Sequence, residues 1–217
     1  MKKILAAIWI SIASFQAEAQ SDPLLFVFLN KRTDLPALPK EESDKLMEGH
    51  MANIGRLAKE GKLVVAGPFE GGGGIFVLKT NSVEEAKGWL ANDPAVKAER
   101  WRMEYLPITF RTGKACVAKE PYQMVSYHFM RYGLNLTKFN VQQAGNTLQK
   151  HMVYMKELNQ TGNVIAEASL GEGEGSFLIM KGDLDQRVVE ASPAVQEQVF
   201  TIEVKKLWVA KGSFCEQ

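Results

Sequence analysis

The chain has 217 residues, 46% of them apolar and 24% charged, with 26 basic and 25 acidic side chains. That composition supports a folded core, and a net charge of +1 with no basic block argues against nucleic acid as a partner. Two cysteines and three dispersed histidines form no metal-ligand spacing, so no metal and no cofactor are expected.

The chain opens with a leader pattern. Lys2 and Lys3 precede an apolar run from Ile4 to Phe15, and Ala17-Glu18-Ala19 supplies small residues at a peptidase site. Cleavage after Ala19 is expected, and the protein is expected to be exported, periplasmic or secreted. The apolar run is shorter than the ~20 residues needed to span a bilayer, so no membrane partner is expected once the leader is removed.

The rest of the chain reads as one unit written twice. His50-Met51 aligns with His151-Met152, Gly61 with Gly162 and Phe76 with Phe177. Nearer the end of each copy Pro94-Ala95-Val96 aligns with Pro193-Ala194-Val195, and Cys116 with Cys215. Leu24 to Asn30 predicts a buried strand, with Gln123 to Met130 as its twin. A helix follows in each copy: Leu46, Met47, His50, Met51, Ile54, Leu57 and Ala58 form one stripe, and Leu148, His151, Met152, Met155 and Leu158 the other. Gly61 and Gly162 stand at the left-handed position after each helix.

Lys62 to Phe69 and Ile75 to Lys79 predict a hairpin, matched by Asn163 to Leu170 and Ser176 to Lys181. A second helix (Val83 to Ala91; Leu184 to Glu190) and a last strand (Trp101 to Phe110; Phe200 to Val209) complete each copy. The order β-α-β-β-α-β is the ferredoxin-like split βαβ pattern, in which helices cover one sheet face. The expected fold is therefore α+β: two tandem ferredoxin-like units packed sheet to sheet as an intrachain pseudo-dimeric α+β barrel. The boundaries are residues 22–111 for the first repeat, 112–121 for a linker and 122–211 for the second. Cys116 and Cys215 follow the last strand of each copy, where they form one disulfide or two separate small apolar residues.

His50 and His151 lie on the first-helix stripe. Each reads either as a satisfied core histidine or as a proton-transfer group. Asp93 before Pro94 reads either as the N-cap of a short helix or as a carboxylate orienting a histidine; Ser192 before Pro193 serves only the first role. Gly71 to Gly74 reads as a hairpin tip or a loop folding over a cleft. Arg32 and Arg131, after the first strands, are candidate receivers of an anionic substrate or plain solubilising charges, and His128 falls on a predicted strand.

The first copy, from Leu24 to Phe110, resembles the YCII-related family in its helix histidine, Gly61, the Ala66-Gly67-Pro68 segment and Asp93-Pro94. The resemblance implies a dimeric α+β barrel fold and an enzymatic site marked by a histidine and an aspartate, here His50 and Asp93. Gly67 and Pro68 are candidate binding positions beside them, with His151 and Arg32. One branch of that family is a chlorohydroquinone dehydrochlorinase, which implies acid-base elimination, a lyase-like chemistry, on a small-molecule substrate. The second copy has Ala168-Ser169 and Ser192 at the matching points, which implies a degenerate or repurposed site. The alternative is a non-catalytic barrel that binds a small ligand in its cleft or serves a structural role.

Overall fold

The computed structural model describes residues 23–138, 140–184, 188 and 190–215. The predicted leader, 1–19, and part of the helix expected over 184–190 lie outside these residues. The first repeat holds β1 (Leu24–Lys31), α1 (Lys40–Lys59), β2 (Leu63–Pro68), β3 (Gly74–Leu78), α2 (Val83–Leu90), α3 (Pro94–Lys97) and β4 (Trp101–Thr112). The second holds β6 (Met124–Leu134), α4 (Val141–Gln160), β7 (Val164–Leu170), β8 (Ser176–Met180), α5 (Pro193–Gln196) and β9 (Phe200–Ala210). Two short strands, β5 (Lys114–Ala115) and β10 (Phe214–Cys215), pair with each other. Among the described residues no helix is long and apolar enough to cross a membrane.

All eight long strands join one antiparallel sheet in the order β2-β3-β1-β4-β7-β8-β6-β9. Each repeat contributes the same local order, and β4 of the first pairs with β7 of the second through Ile108–Leu170, Thr109–Ser169 and Phe110–Ala168. The two outer edges also meet. Phe69 bridges Leu207, and the Glu70 N–H donates to the Lys206 carbonyl at 2.9 Å.

The five consecutive buried residues of β1 follow from burial on both sheet faces. Phe26 and Phe28 point to an interior shared by both repeats, with Phe129, Phe177, Ile165 and Leu207. Leu25, Val27 and Leu29 point the other way, to Leu57, Ala86 and Leu90 of the helices. Phe26 stacks on Phe129 with centroids 6.0 Å apart, and Phe129 on Phe177 at 5.4 Å. Each such ring removed from water contributes about 1.5–3 kcal/mol, so the shared interior holds the two repeats together.

The strand registers correct the sequence alignment. Val27 pairs with Phe76 in the first repeat, and Met130 with Leu178 in the second. Phe76 and Leu178 both face helices, whereas Phe177 faces the shared interior, so the equivalent of Phe177 is Ile75. By the same registers Leu24 corresponds to Tyr127 rather than to Gln123, and Arg131, expected after the strand, lies within β6 at the position of Phe28. Identity of residue type misled the alignment because the second hairpin tip is one residue longer.

The helix stripes are narrower than the apolar pattern suggests. Met47, Met51, Ala58 and Met152 are exposed, while Asn53 is buried with His50 and Leu57. A polar residue holds a core-facing position on α1, and its partner is described below. Gly61 and Gly162 end their helices at φ +68° and +73°, a conformation that favours glycine. Cys116 and Cys215 form a disulfide with Cα atoms 6.1 Å apart, beside the β5–β10 pair.

Candidate functional site

The site of interest lies where α1 crosses the start of α3. Gly49 permits this crossing, because a side-chain carbon there would come within 2.5 Å of the Pro94 ring. The next residue, His50, thereby meets Asp93. Nδ1 of His50 donates to Oδ2 of Asp93 at 2.7 Å, and Asp93 is fully buried. The other carboxylate oxygen, Oδ1, accepts from the backbone N–H groups of Ala95 at 2.9 Å and Val96 at 3.3 Å. The N-cap and the histidine-orienting carboxylate are thus one residue using its two oxygens separately.

A second donor completes the set. Asn53 Nδ2 donates to Asp93 Oδ2 at 3.2 Å, and Asn53 Oδ1 accepts from Arg56 at 2.8 Å. Arg56 in turn donates to the Trp89 carbonyl and to Glu60. Burial pushes the Asp93 carboxyl up, but the hydrogen bond and charge of His50, with the Val96 and Ala95 amides, outweigh it and hold the carboxyl below its ordinary range. Asp93 is therefore an anion at neutral pH.

The His50 ring packs between Trp101, with centroids 4.7 Å apart, and Phe76 at 5.7 Å. Asp93 occupies Nδ1, which leaves Nε2 as the nitrogen able to exchange a proton with a bound molecule. A carboxylate on one nitrogen and an aromatic wall beside the ring can do one thing well: fix the tautomer and stabilise the imidazolium after proton uptake.

The second repeat repeats the placement with different chemistry. His151 Nδ1 and Ser192 Oγ are 2.9 Å apart, and Ser192 makes no side-chain cap to α5. Serine has one oxygen, spent on the histidine. Tyr154 replaces Asn53 and Phe200 replaces Trp101, and the His151 ring lies against both and against Tyr132. Burial, and secondarily the charge of Arg111, depresses the His151 pKa to about 4. His151 is neutral at pH 7.

The remaining residues singled out in the sequence do not join this cluster. Arg32 binds Asp34 at 2.7 Å and Glu99 at 3.4 Å at the surface. Gly67 sits at the β2–β9 seam, where a side-chain carbon would meet Val209 at 2.4 Å and the Trp208 carbonyl at 2.6 Å. Its glycine identity is a packing requirement there. Pro68 is exposed at the end of β2, paired with Gly74. His128 lies on β6 opposite Met180 and Lys206, and Gly71 to Gly74 form the β2–β3 tip, closed by hydrogen bonds between Phe69, Gly72 and Gly73.

Asn53 and Arg56 were absent from the sequence expectation. The one available signal was a polar residue one helical turn after His50, on the same face. Among the described residues no group of three or more histidine, cysteine, aspartate or glutamate side chains converges as a metal site.

Residues 24–108 match the model of the YCII-related domain. No curated protein matches the sequence. Among solved structures, a "putative monooxygenase" from Lactobacillus acidophilus NCFM superposes with a TM-score of 0.42 at 8% identity, covering 90% of this chain and 96% of its own. An anthrone oxidase-like protein superposes with a TM-score of 0.49 at 12% identity, covering 89% and 95%. Overlaps this loose carry nothing about chemistry.

Proposed function

We propose that the chain is an exported small-molecule enzyme whose active site is the His50–Asp93 pair of the first repeat. Residues 1–19 are its leader, 22–111 and 122–211 its two ferredoxin-like repeats, and 112–121 their linker. Together the repeats are an intrachain pseudo-dimeric α+β barrel, a reading supported by the matched registers at Ile108–Leu170 and Phe69–Leu207. The observation that carries the functional reading is the buried, ionised Asp93 on Nδ1 of His50. In the proposed role His50 Nε2 takes a proton from the substrate, Asp93 stabilises the resulting imidazolium, and after the leaving group departs the proton passes from His50 to solvent. Asn53 holds Asp93 in place. The second repeat completes the barrel and keeps a neutral, catalytically silent histidine.

Loss of HCl from a chlorinated hydroquinone is the reaction that the family resemblance favours. Chloride release from a panel of chlorohydroquinones tests it. The intact protein should release chloride, His50→Gln and Asp93→Asn should not, and Ser192→Ala should match the intact protein. Equal release by the His50→Gln variant, or none by the intact protein, overturns the elimination reading. A non-catalytic ligand-binding role draws on a different observation: a cavity opens on the second repeat, lined by Arg131, Leu134, Glu172 and Ile202 among others.

A further inference from the structure

We infer that this second-repeat cavity is a binding site for a compact organic cation, an ammonium or amidinium group carried on an apolar body. The cavity measures about 630 Å³ and lies between the end of β6, the start of β9 and the β7–β8 tip. Its size is within the roughly 300–1,000 Å³ of small-molecule sites. The duplication explains why it is open. In the first repeat the matching cross-strand pair is Asn30 with Arg102, and Asn30 donates to Glu104 at 2.7 Å. The second repeat has Gly133 opposite Thr201. An asparagine and an arginine are replaced by a hydrogen and a methyl-bearing hydroxyl, so less side-chain volume stands at that cross-strand position of the second repeat.

The same replacement changes the chemistry of the walls. Lys31, which reaches the Gly71 carbonyl in the first repeat, corresponds to Leu134 in the second. Ile202 and the highly exposed Leu136 add further apolar wall. The first hairpin tip is Gly71-Gly72-Gly73; the second carries Glu172 and Glu174, both facing the cavity.

Charge decides what fits. Arg131 lines the cavity but is already engaged: its guanidinium donates to Glu104 at 2.8 Å and lies 4.2 Å over the Phe28 ring. Glu203 is met by Lys205 at 2.8 Å. Glu172 and Glu174 remain as the carboxylates with no ion-pair partner among the described residues. An anion would meet two unopposed negative charges and a spent arginine; a cation with an apolar body satisfies both the carboxylates and the leucine–isoleucine wall.

Phenethylammonium is the probe, with phenylacetate and 2-phenylethanol as its anionic and neutral counterparts, and binding is read by chemical-shift titration of the full mature chain. The cation should bind roughly tenfold or more tightly than either counterpart. The Glu172→Gln/Glu174→Gln variant, altered only at an exposed tip, should lose that preference, and Thr201→Arg should abolish binding by refilling the cavity. Equal affinity for all three probes, or a preference unchanged in both variants, overturns the assignment. So does a dimer of the intact chain that Thr201→Arg dissociates, since the cavity would then hold a side chain of a second copy. His50→Gln should leave phenethylammonium binding intact, which separates this site from the proposed catalytic one.

Discussion

His50 and Asp93 are joined through a carboxylate that is also a helix cap: Oδ2 holds the ring at 2.7 Å while Oδ1 receives the first N–H groups of α3. Structure and chemistry therefore share one side chain. Asp93→Asn keeps an oxygen for the cap but presents an amide to Nδ1, forcing the other tautomer. Turnover should vanish, with a stability loss smaller than that of Asp93→Ser. The serine variant loses the cap or the histidine contact and should cost about 1–3 kcal/mol in denaturant unfolding. Because the Asp93 carboxyl is lowered, its stabilising contribution is present above the ordinary carboxylate range and is lost as pH falls through its own value. The stability advantage of the intact protein over Asp93→Asn should accordingly begin to shrink only as pH falls past about 4, and disappear below the carboxyl's own lowered value.

His151 predicts an acid sensitivity of the opposite origin. Its folded pKa, about 4, lies below the roughly 6.5 of an unfolded histidine, so the unfolded chain binds the proton first. Stability should be unaffected above about pH 6.5 and fall between there and pH 4, by on the order of 2–3 kcal/mol at most. His151→Phe should flatten that segment of the curve. Melting temperatures measured at intervals from pH 7.5 to 4 decide it; an unchanged slope in the variant refutes the assignment.

Ser192→Asp asks whether the second repeat can regain what it lacks. A carboxylate on Nδ1 offsets the burial cost of the imidazolium. Titration of the His151 ring by NMR should move from about 4 to above the ordinary histidine value. A midpoint that stays near 4 would mean that the surrounding Tyr132, Tyr154 and Phe200 rings, not the missing carboxylate, keep the ring neutral.

Two glycines should respond in opposite directions to the same change. Gly67→Ala drives a methyl into Val209 and the Trp208 carbonyl across the β2–β9 seam, and should destabilise by about 2 kcal/mol or more. Gly55→Ala, in α1 with nothing within 4 Å, should stabilise by about 0.5–1 kcal/mol. Urea midpoints for the pair measure both.

Much of this architecture is legible in sequence because it is local. The strand runs, the helix lengths and the left-handed glycines at 61 and 162 depend on neighbours in the chain. The repeat itself supplied the pairing of His50 with His151. Register was not legible: a one-residue difference in hairpin length made Phe76 and Phe177 look equivalent when they face opposite sides of the sheet. Asn53 escaped notice because its reason for burial, Asp93, lies 40 residues away. The cavity was invisible for a related cause, since Gly133 and Thr201 acquire meaning only as cross-strand partners.

The disulfide should contribute substantially. Its sequence separation of 99 implies, on the chain-entropy account, about 4–5 kcal/mol of stabilisation. Adding reductant should lower the melting temperature of the intact protein and leave that of Cys116→Ser/Cys215→Ser unchanged. Identical melts with and without reductant would show that the bond contributes nothing.

That bond also turns the second repeat into a closed ring of chain hanging from Cys116. Val117, the residue immediately outside the bridge, is 71% exposed, a natural place for a protease to cut. A cut there severs the only peptide link between the repeats, yet the tail at Cys215 still anchors the second to the first. The nicked protein should run as one species in a denaturing gel and separate into two pieces only when a thiol is added. In a chain cut at that point, losing the linker would not mean losing the partner.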